Sequence, residues 1–525
     1  LGVLTASACG CTSPREFIKN GFKVGPQYSV PPAAVAADWI DASDKRVRKE
    51  SDDLSKWWTV FNDPVLNDLI CYAYRQNLTL RQAGYRVLAA RAQVFGAAST
   101  LFPQTQSITG DFDRIVKSIA VANAQFIPKR YFPQYDQAFN LGWEIDFWGK
   151  FRRGVESARD TLEASVADYD DVLVTLLSDV ATNYVQLRVS EARIAYAREN
   201  AKLQQQSVRV VENRMKVGAA RQLDVDQARS LLYQTEATIP ELQIALRISA
   251  NAICILLGIP TEDLTAKLKS APIPVAPTEV AVGIPADLLR RRPDVRRAER
   301  QAAAQCAQIG VAEADFYPHI SLVGTIGYSA KEFINMYNPK SLVGTFGPSF
   351  QWNVLVYGRI LANMRVQQAV FLQLVTAYQQ TVLNAHQEAE NGLVTFLKAQ
   401  ERVRLQSLSV KAAQDAVKTV LSQFEAGTVT IAQLILLEQT LVGLQDTLAQ
   451  AQGEIPLGLI QVYKALGGGW QIRLQGCETT AALEARAPAD AELGPPPRPA
   501  PDAEPPASRL LPPFEKDQTG PAAPR

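Results

Sequence analysis

The stretch from Tyr184 to Pro260 is met again from Gly392 to Trp470. Each copy runs through apolar residues at heptad-like spacing, turns at Met215-Lys-Val-Gly218 or Phe424-Glu-Ala-Gly427, and returns through a second long helical pattern. Self-similarity on this scale means two like units that bury their apolar stripes on one another, and a helix from 153 to 217 would reach roughly 95 Å. No loop between the arms is large enough to hold a catalytic cleft. A chain built for length in this way has its function in assembly.

The helical period breaks at Phe102-Pro103 and again at Tyr317-Pro318, where proline drives the preceding residue into extended backbone. Period two follows each break. Tyr135, Phe139, Leu141, Trp143 and Ile145 alternate with Asp136, Asn140, Glu144 and Asp146, and Phe346 and Phe350 alternate with Thr345, Ser349 and Gln351. These patterns predict strands near 104–114, 135–147, 319–329 and 344–354, each with one wet and one apolar face. Four strands cannot close a membrane barrel, and open edges are not left in lipid. Three copies would supply twelve, and the alternative is a soluble sheet packed on the helices.

Ahead of these elements, Phe22 to Asp53 holds prolines, alanines and charges without a period, which reads as an extended arm. Trp57, Trp58 and Phe61 read as packing, and Asn62-Asp-Pro64 as the cap of a helix near Val65 with a break at Asn77. Down the first hairpin, Leu173, Leu176, Leu177, Val180, Tyr184 and Leu187 form a stripe to bury, while Gln204, Gln205, Gln206 and Arg209 favour water. The organisation is 1–10 residual export signal, 11–64 arm, 65–285 and 286–470 the two halves, with hairpins at about 153–257 and 359–466. Residues 471–525 form a tail in which eleven prolines from Pro495 to Pro524 prevent a regular core.

A formal charge of +1 over 525 residues gives no reason to expect nucleic acid. Six cysteines without a CxxC pair, and only His319 and His386, leave no zinc set and point to no cofactor; Cys71, Cys254 and Cys306 lie in helical patterns and read as buried thiols. No uninterrupted run of 18 apolar residues marks a membrane helix. The start, Leu1-Gly-Val-Leu-Thr-Ala-Ser-Ala-Cys-Gly-Cys11, has small residues before cysteine, as a lipoprotein signal does, with Cys11 the preferred lipid site and Cys9 the alternative. As an enzyme the chain would have to use His319, His386, Asp294 and Glu388, which no motif joins.

Several further motifs occur in a fixed order: Val24-Gly-Pro-Gln-Tyr28, Trp57-Trp58, Trp143-Glu-Ile-Asp-Phe-Trp-Gly149, Leu288-Leu-Arg-Arg-Arg-Pro-Asp294-Val-Arg-Arg-Ala-Glu299, Ile309-Gly310 and Tyr317-Pro318. With the doubled hairpin, this order resembles the TolC-type outer-membrane efflux proteins, and within them the OprM/NodT-like lipoproteins of tripartite export systems. The resemblance covers Cys11 to Trp470. It implies a mostly α fold with a membrane β-barrel: a homotrimer with a twelve-stranded outer-membrane barrel continuous with a periplasmic tube of helices, encircled by a collar.

The resemblance also implies function. The chain would be a passive, gated exit duct for small molecules, driven by an inner-membrane resistance-nodulation-division pump through a periplasmic adaptor; the alternative is the duct of a type I protein secretion system. Arg292, Pro293 and Asp294 would join the halves structurally. Gly218 and Gly427 would mark the inner end of the tube, with Asp224, Glu425, Gln433 and Leu434 at the gate and adaptor contact. Gln433 stands where relatives carry aspartate, so Leu434 or Leu437 is the candidate for an apolar closure. A purely structural spacer would need apolar inward walls, and the abundant glutamine, serine and arginine of both hairpins favour a hydrated conduit.

Overall fold

The structure, a computed structural model, describes residues 12–50, 53–122, 126, 128–287 and 291–477. Cys9, Cys11 and the proline-rich stretch from 478 lie outside the described residues. In chain order the elements are α1 (Pro14–Lys19), β1 (Val47–Arg48), α2 (Pro64–Gln76), α3 (Leu78–Ser99), β2 (Thr105–Val116), β3 (Tyr131–Ile145), α4 (Lys150–Lys216), α5 (Gln222–Leu256), α6 (Leu264–Leu268), β4 (Val280–Ala281), α7 (Pro293–Ala314), β5 (His319–Ala330), β6 (Leu342–Gln351), α8 (Arg359–Glu425), α9 (Ile431–Ala465) and α10 (Ile472–Gln475).

The hairpins have equal dimensions. Both outgoing helices, α4 and α8, have 67 residues and both returning ones, α5 and α9, have 35. At about 1.5 Å per residue the long helices reach roughly 100 Å. Gly218 and Gly427 turn them, with φ of 75° and 81°, a left-handed backbone that glycine adopts without steric cost.

The four long strands form one antiparallel sheet in the order β2-β3-β5-β6. Its register places Thr109, Asp111, Asp136, Asn140, Ser321, Thr325 and Ser349 on one face, with Asn140 bonding both Thr109 and Thr325 across the sheet. Ile108, Phe112, Tyr135, Phe139, Ile326 and Phe346 share the other face, because side chains alternate with period two. The strands begin and end within a few residues of the expected positions. A short parallel pair, β1 with β4, ties the arm to the segment before α7; two residues are too few to leave a period in the sequence.

The main core sits where α2 and α3 pack on α4 beside both hairpins' return arms. It contains Trp57, Trp58, Phe61, Leu66, Ile70, Leu173, Leu177, Tyr184, Leu187, Ile253, Phe396 and Leu459. Asp63 starts α2 by accepting from Val65 N and Leu66 N, and its other oxygen accepts from the Tyr184 hydroxyl at 2.7 Å. Asn77 is the expected break, its side chain accepting from Leu80 N to start α3.

Four expectations are corrected. Gln204 is buried at 1% exposure, where α4 meets α9, rather than turned to water. Cys71 is not a thiol: it is bonded to Cys477, 406 residues away, while Cys254 and Cys306 are free and buried as expected. Regular structure continues past Trp470 into α10, whose Ile472 is fully buried. Finally, α5 is long and apolar enough by composition to cross a membrane, because isoleucine and leucine outweigh its scattered polar residues.

The basic run after Pro293 clamps α7 onto α4. Arg297 bonds Asp168 at 2.8 Å and Asp171 at 3.0 Å, and Arg300 bonds Asp160 at 3.3 Å and Glu163 at 3.2 Å. Burial pushes the Asp160 carboxyl up to about 6 against the opposing pull of Arg300. A carboxyl raised on folding holds its proton more tightly in the folded state. Its contribution to stability is therefore full below the unfolded value of 3.8 and is lost as pH rises through about 6. Asp160→Asn should accordingly flatten the part of the Tm-against-pH curve between those limits; an unchanged curve would show that Asp160 is not coupled to folding.

Candidate functional site

The two hairpin turns lie together at the end of the molecule remote from the sheet. Val211, Val225, Ala228, Phe424, Ile431 and Leu434 form a small apolar cluster that joins the tip of one hairpin to the other. Above it, Arg214 of α4 donates to the Phe424 carbonyl at the end of α8 and lies over the Phe424 ring, 4.8 Å from its centroid. A guanidinium at a helix C-terminus meets the negative end of the backbone dipole, and here it shares the Phe424 carbonyl with the Gly427 N–H, which donates to it at 3.0 Å. A Cβ on Gly427 would stand 3.0 Å from the same guanidinium, so the glycine also leaves room for the cross-link.

The expected gate residues separate into two groups here. Gly218, Gly427, Glu425 and Gln433 are exposed at the tips. Asp224 is half-buried and accepts from Arg221 N at 2.8 Å, closing the first turn of α5. Leu434 has no exposed surface; it belongs to the cluster between the hairpins, so in this chain it cannot be a closure facing an axis. Leu437 is partly buried against the neighbouring cluster along α8 and α9. Glu212, Met215, Lys216, Gln222, Val225 and Arg229 line a groove between α4 and α5, bridged by an Arg229–Glu212 pair at 2.7 Å.

Higher up, Arg292 ties elements of the second half to one another, and the contacts across the halves are made instead by Arg297 and Arg300. It grips Asp294 at 3.0 and 2.7 Å, donates to the Ala465 carbonyl at the end of α9 at 2.8 Å, and reaches Glu388 of α8 at 2.8 Å. Pro293 occupies the first turn of α7, and Asp294 accepts from Val295 N. Asp294 and Glu388 thus meet on one arginine. His319 instead pairs with Glu144 at 2.7 Å at the base of the sheet, and His386 lies tilted against Trp39 with centroids 5.2 Å apart. The four enzyme candidates do not converge, and no cluster of metal-ligating residues occurs among the described residues.

At the sheet base, the backbone N–H and hydroxyl of Thr12 both donate to Glu313 at the end of α7. Phe17 packs on Phe147 and Trp148, and Trp148 stacks on Tyr317 at 4.5 Å. Aromatic residues ringing the foot of an apolar-faced sheet are the pattern of a membrane–water boundary.

The described geometry is shared with known proteins. The family model for outer membrane efflux proteins matches residues 69–259 and 284–468. Nodulation protein T of Rhizobium leguminosarum bv. trifolii is 30% identical over 467 residues, covering 87% of this chain and 96% of that protein. The toluene efflux pump outer membrane protein TtgF of Pseudomonas putida is 28% identical over 476 residues, covering 86% and 95%. Among solved structures, the outer-membrane channel OprN superposes with a TM-score of 0.80 at 32% identity, covering 85% of this chain and 99% of that one. With both halves matched by the same family model and the sheet and both hairpins present, the chain belongs to the outer membrane efflux protein family.

Proposed function

We propose that three copies of this chain close into one outer-membrane channel, the passive and gated exit duct of a tripartite efflux system for small molecules. The observation that carries this reading is the open sheet. Among the described residues its outer strands β2 and β6 each have an unpaired edge, while one face is mostly apolar. Such edges are tolerated in lipid only when paired, and three identical sheets supply twelve strands. The helices support the same assembly. Leu223, Tyr233, Ile244, Ile248 and Ile255 of α5 are exposed in the single chain, an apolar face suited to a neighbouring copy. Relatives named as efflux pump components support efflux as the service.

In this reading an inner-membrane pump of the resistance-nodulation-division class supplies the energy, and a periplasmic adaptor engages the tips at about 214–223 and 423–433. Single-channel recording of the purified protein in bilayers tests the duct. Discrete conductance steps from a particle of three chains are expected, and a particle that stays nonconducting after tip-loosening substitutions would favour a spacer.

The tip cross-link gives the gate its first test. Removing the Arg214 side chain deletes a charge-assisted hydrogen bond of about 1.5–3 kcal/mol and a cation–π contact of about 0.5–1 kcal/mol from the closed packing. If opening separates the two turns, Arg214→Ala should raise the open probability by an order of magnitude or more, and Arg214→Lys should fall between. Unchanged gating in both variants would place the gate elsewhere.

Cys11 carries the lipid in this reading. The anchoring of its neighbour Thr12 to Glu313, beside the aromatic foot of the sheet, supports an acyl chain at that level. The intact mass of the mature N-terminus distinguishes a diacylglycerol on Cys11 from one on Cys9 or from none.

A further inference from the structure

The disulfide between Cys71 and Cys477 joins α2 to the last described residue of the chain. Its surroundings hold the ends in place independently of the bond. Arg473 pairs with the buried Asp170 at 2.7 Å, Ile472 is fully buried, and Arg75 donates to the Cys477 carbonyl at 2.9 Å. Between the two partners in sequence lie Cys254 and Cys306, which the finished fold keeps as thiols. Cys254 is fully buried in the main core. Cys306 is enclosed where α7 meets the arm, its sulfur facing the Pro26 carbonyl, and burial pushes its thiol up to about 11. Both are inert once folded, because the reactive species is an accessible thiolate.

Before folding, none of this protection exists. With Cys11 lipidated and the residues before it removed, as in the proposed reading on which this inference rests, a chain exported from its N-terminus presents the thiols of Cys71, then Cys254, then Cys306, and Cys477 last. In the oxidising space it crosses, a dithiol oxidase joins thiols as they arrive, so pairs among the first three form before the correct partner is present. We propose that this chain is a client of an extracytoplasmic disulfide isomerase, which frees Cys71 from Cys254 or Cys306 so that it can be joined to Cys477.

The chemistry balances. An oxidase disulfide takes two electrons from two chain thiols, leaving its own pair reduced and one chain disulfide formed. The isomerase thiolate then attacks the Cys71 sulfur of a Cys71–Cys254 bond, giving a mixed disulfide and releasing the Cys254 thiolate. The Cys477 thiolate attacks the same Cys71 sulfur and returns the isomerase thiolate, with no net oxidation. Docking of Ile472 and Arg473 delivers Cys477 to that sulfur, and burial of Cys254 and Cys306 makes the exchange one-way.

The full chain is expressed in cells with and without their extracytoplasmic disulfide isomerase, its free thiols are alkylated, and its unreduced peptides are mapped by mass. With isomerase, Cys71–Cys477 should be the dominant bond. Without it, that bond should fall severalfold and Cys71–Cys254 or Cys71–Cys306 should appear. The double variant Cys254→Ala/Cys306→Ala should form the native bond equally well in both strains. If wild-type chain makes the native bond equally in both strains, or carries Cys71 and Cys477 as thiols when mature, the proposal fails. Should the double variant not accumulate, the wild-type comparison alone decides, since wrong pairs containing Cys254 or Cys306 are required by the proposal and their absence overturns it.

Discussion

Replacing Asp170 by alanine should destabilise the protein by about 3–5 kcal/mol, the usual consequence of stranding a buried charge by removing its partner. Asp170 has no exposed surface, and Arg473 grips it at 2.7 and 3.3 Å with Arg296 at 3.9 Å. Without the carboxylate, Arg473, 10% exposed, keeps the ring of Trp470 beside it, 5.8 Å away, which does not neutralise its charge. The double variant Asp170→Leu/Arg473→Leu should recover much of the loss, because an apolar pair carries no desolvation penalty. Thermal unfolding of the single and double variants checks this. A double variant no more stable than the single one would mean that the pair orders the last turn rather than merely neutralising a charge.

Introducing valine at Gly310 should release the N-terminal arm. A Cβ there would lie 2.9 Å from both the Val24 carbonyl and Arg153 Nε, and from the other side a Cβ on Gly25 would lie 2.4 Å from Gly310 Cα. The backbones touch, so no side chain fits between them. Arg153 donates to the Val24 and Gly25 carbonyls at 3.0 and 2.9 Å in the same place. Overpacking of about 1–3 kcal/mol, added to loss of charge-assisted bonds of about 1.5–3 kcal/mol, exceeds what an arm with so little core of its own can withstand. Trypsin should then cut rapidly at Arg15, Lys19 and Lys23, whereas the unaltered protein resists. Equal resistance in both would show that the arm is held by other contacts.

Much of the architecture was legible because periodicity reports which face of an element is buried. The change from period 3.6 to period two located all four long strands, and the paired glycines located both turns. Pairings between distant residues leave no such trace. Nothing at Arg214 announces that its guanidinium reaches Phe424, and nothing at Thr12 points to Glu313. Gln204 was misread because polarity predicts solvent, whereas here a polar seam of Asn200, Gln445, Ser207 and Glu438 runs between α4 and α9. Leu434 was misread for the complementary reason: an apolar residue near a constriction and one between two hairpins look alike in one dimension. For Cys477 a signal existed, since an exported chain with several cysteines invites a search for bonded partners, but its place beyond the glycine run 467–469, where the long helical pattern stops, concealed the short helix that docks it.

In the proposed three-copy channel, the two edges of the sheet left unpaired among the described residues would also govern how much finished channel a cell obtains. One chain would offer half of each junction and could not shelter both edges by itself, so entry into lipid and encounter with other copies would become a single event. Mass action then makes yield a steep function of supply. Modest reductions in the amount of exported chain should lower the number of channels more than proportionally, and the surplus edge-exposed monomers should be removed by proteases instead of accumulating.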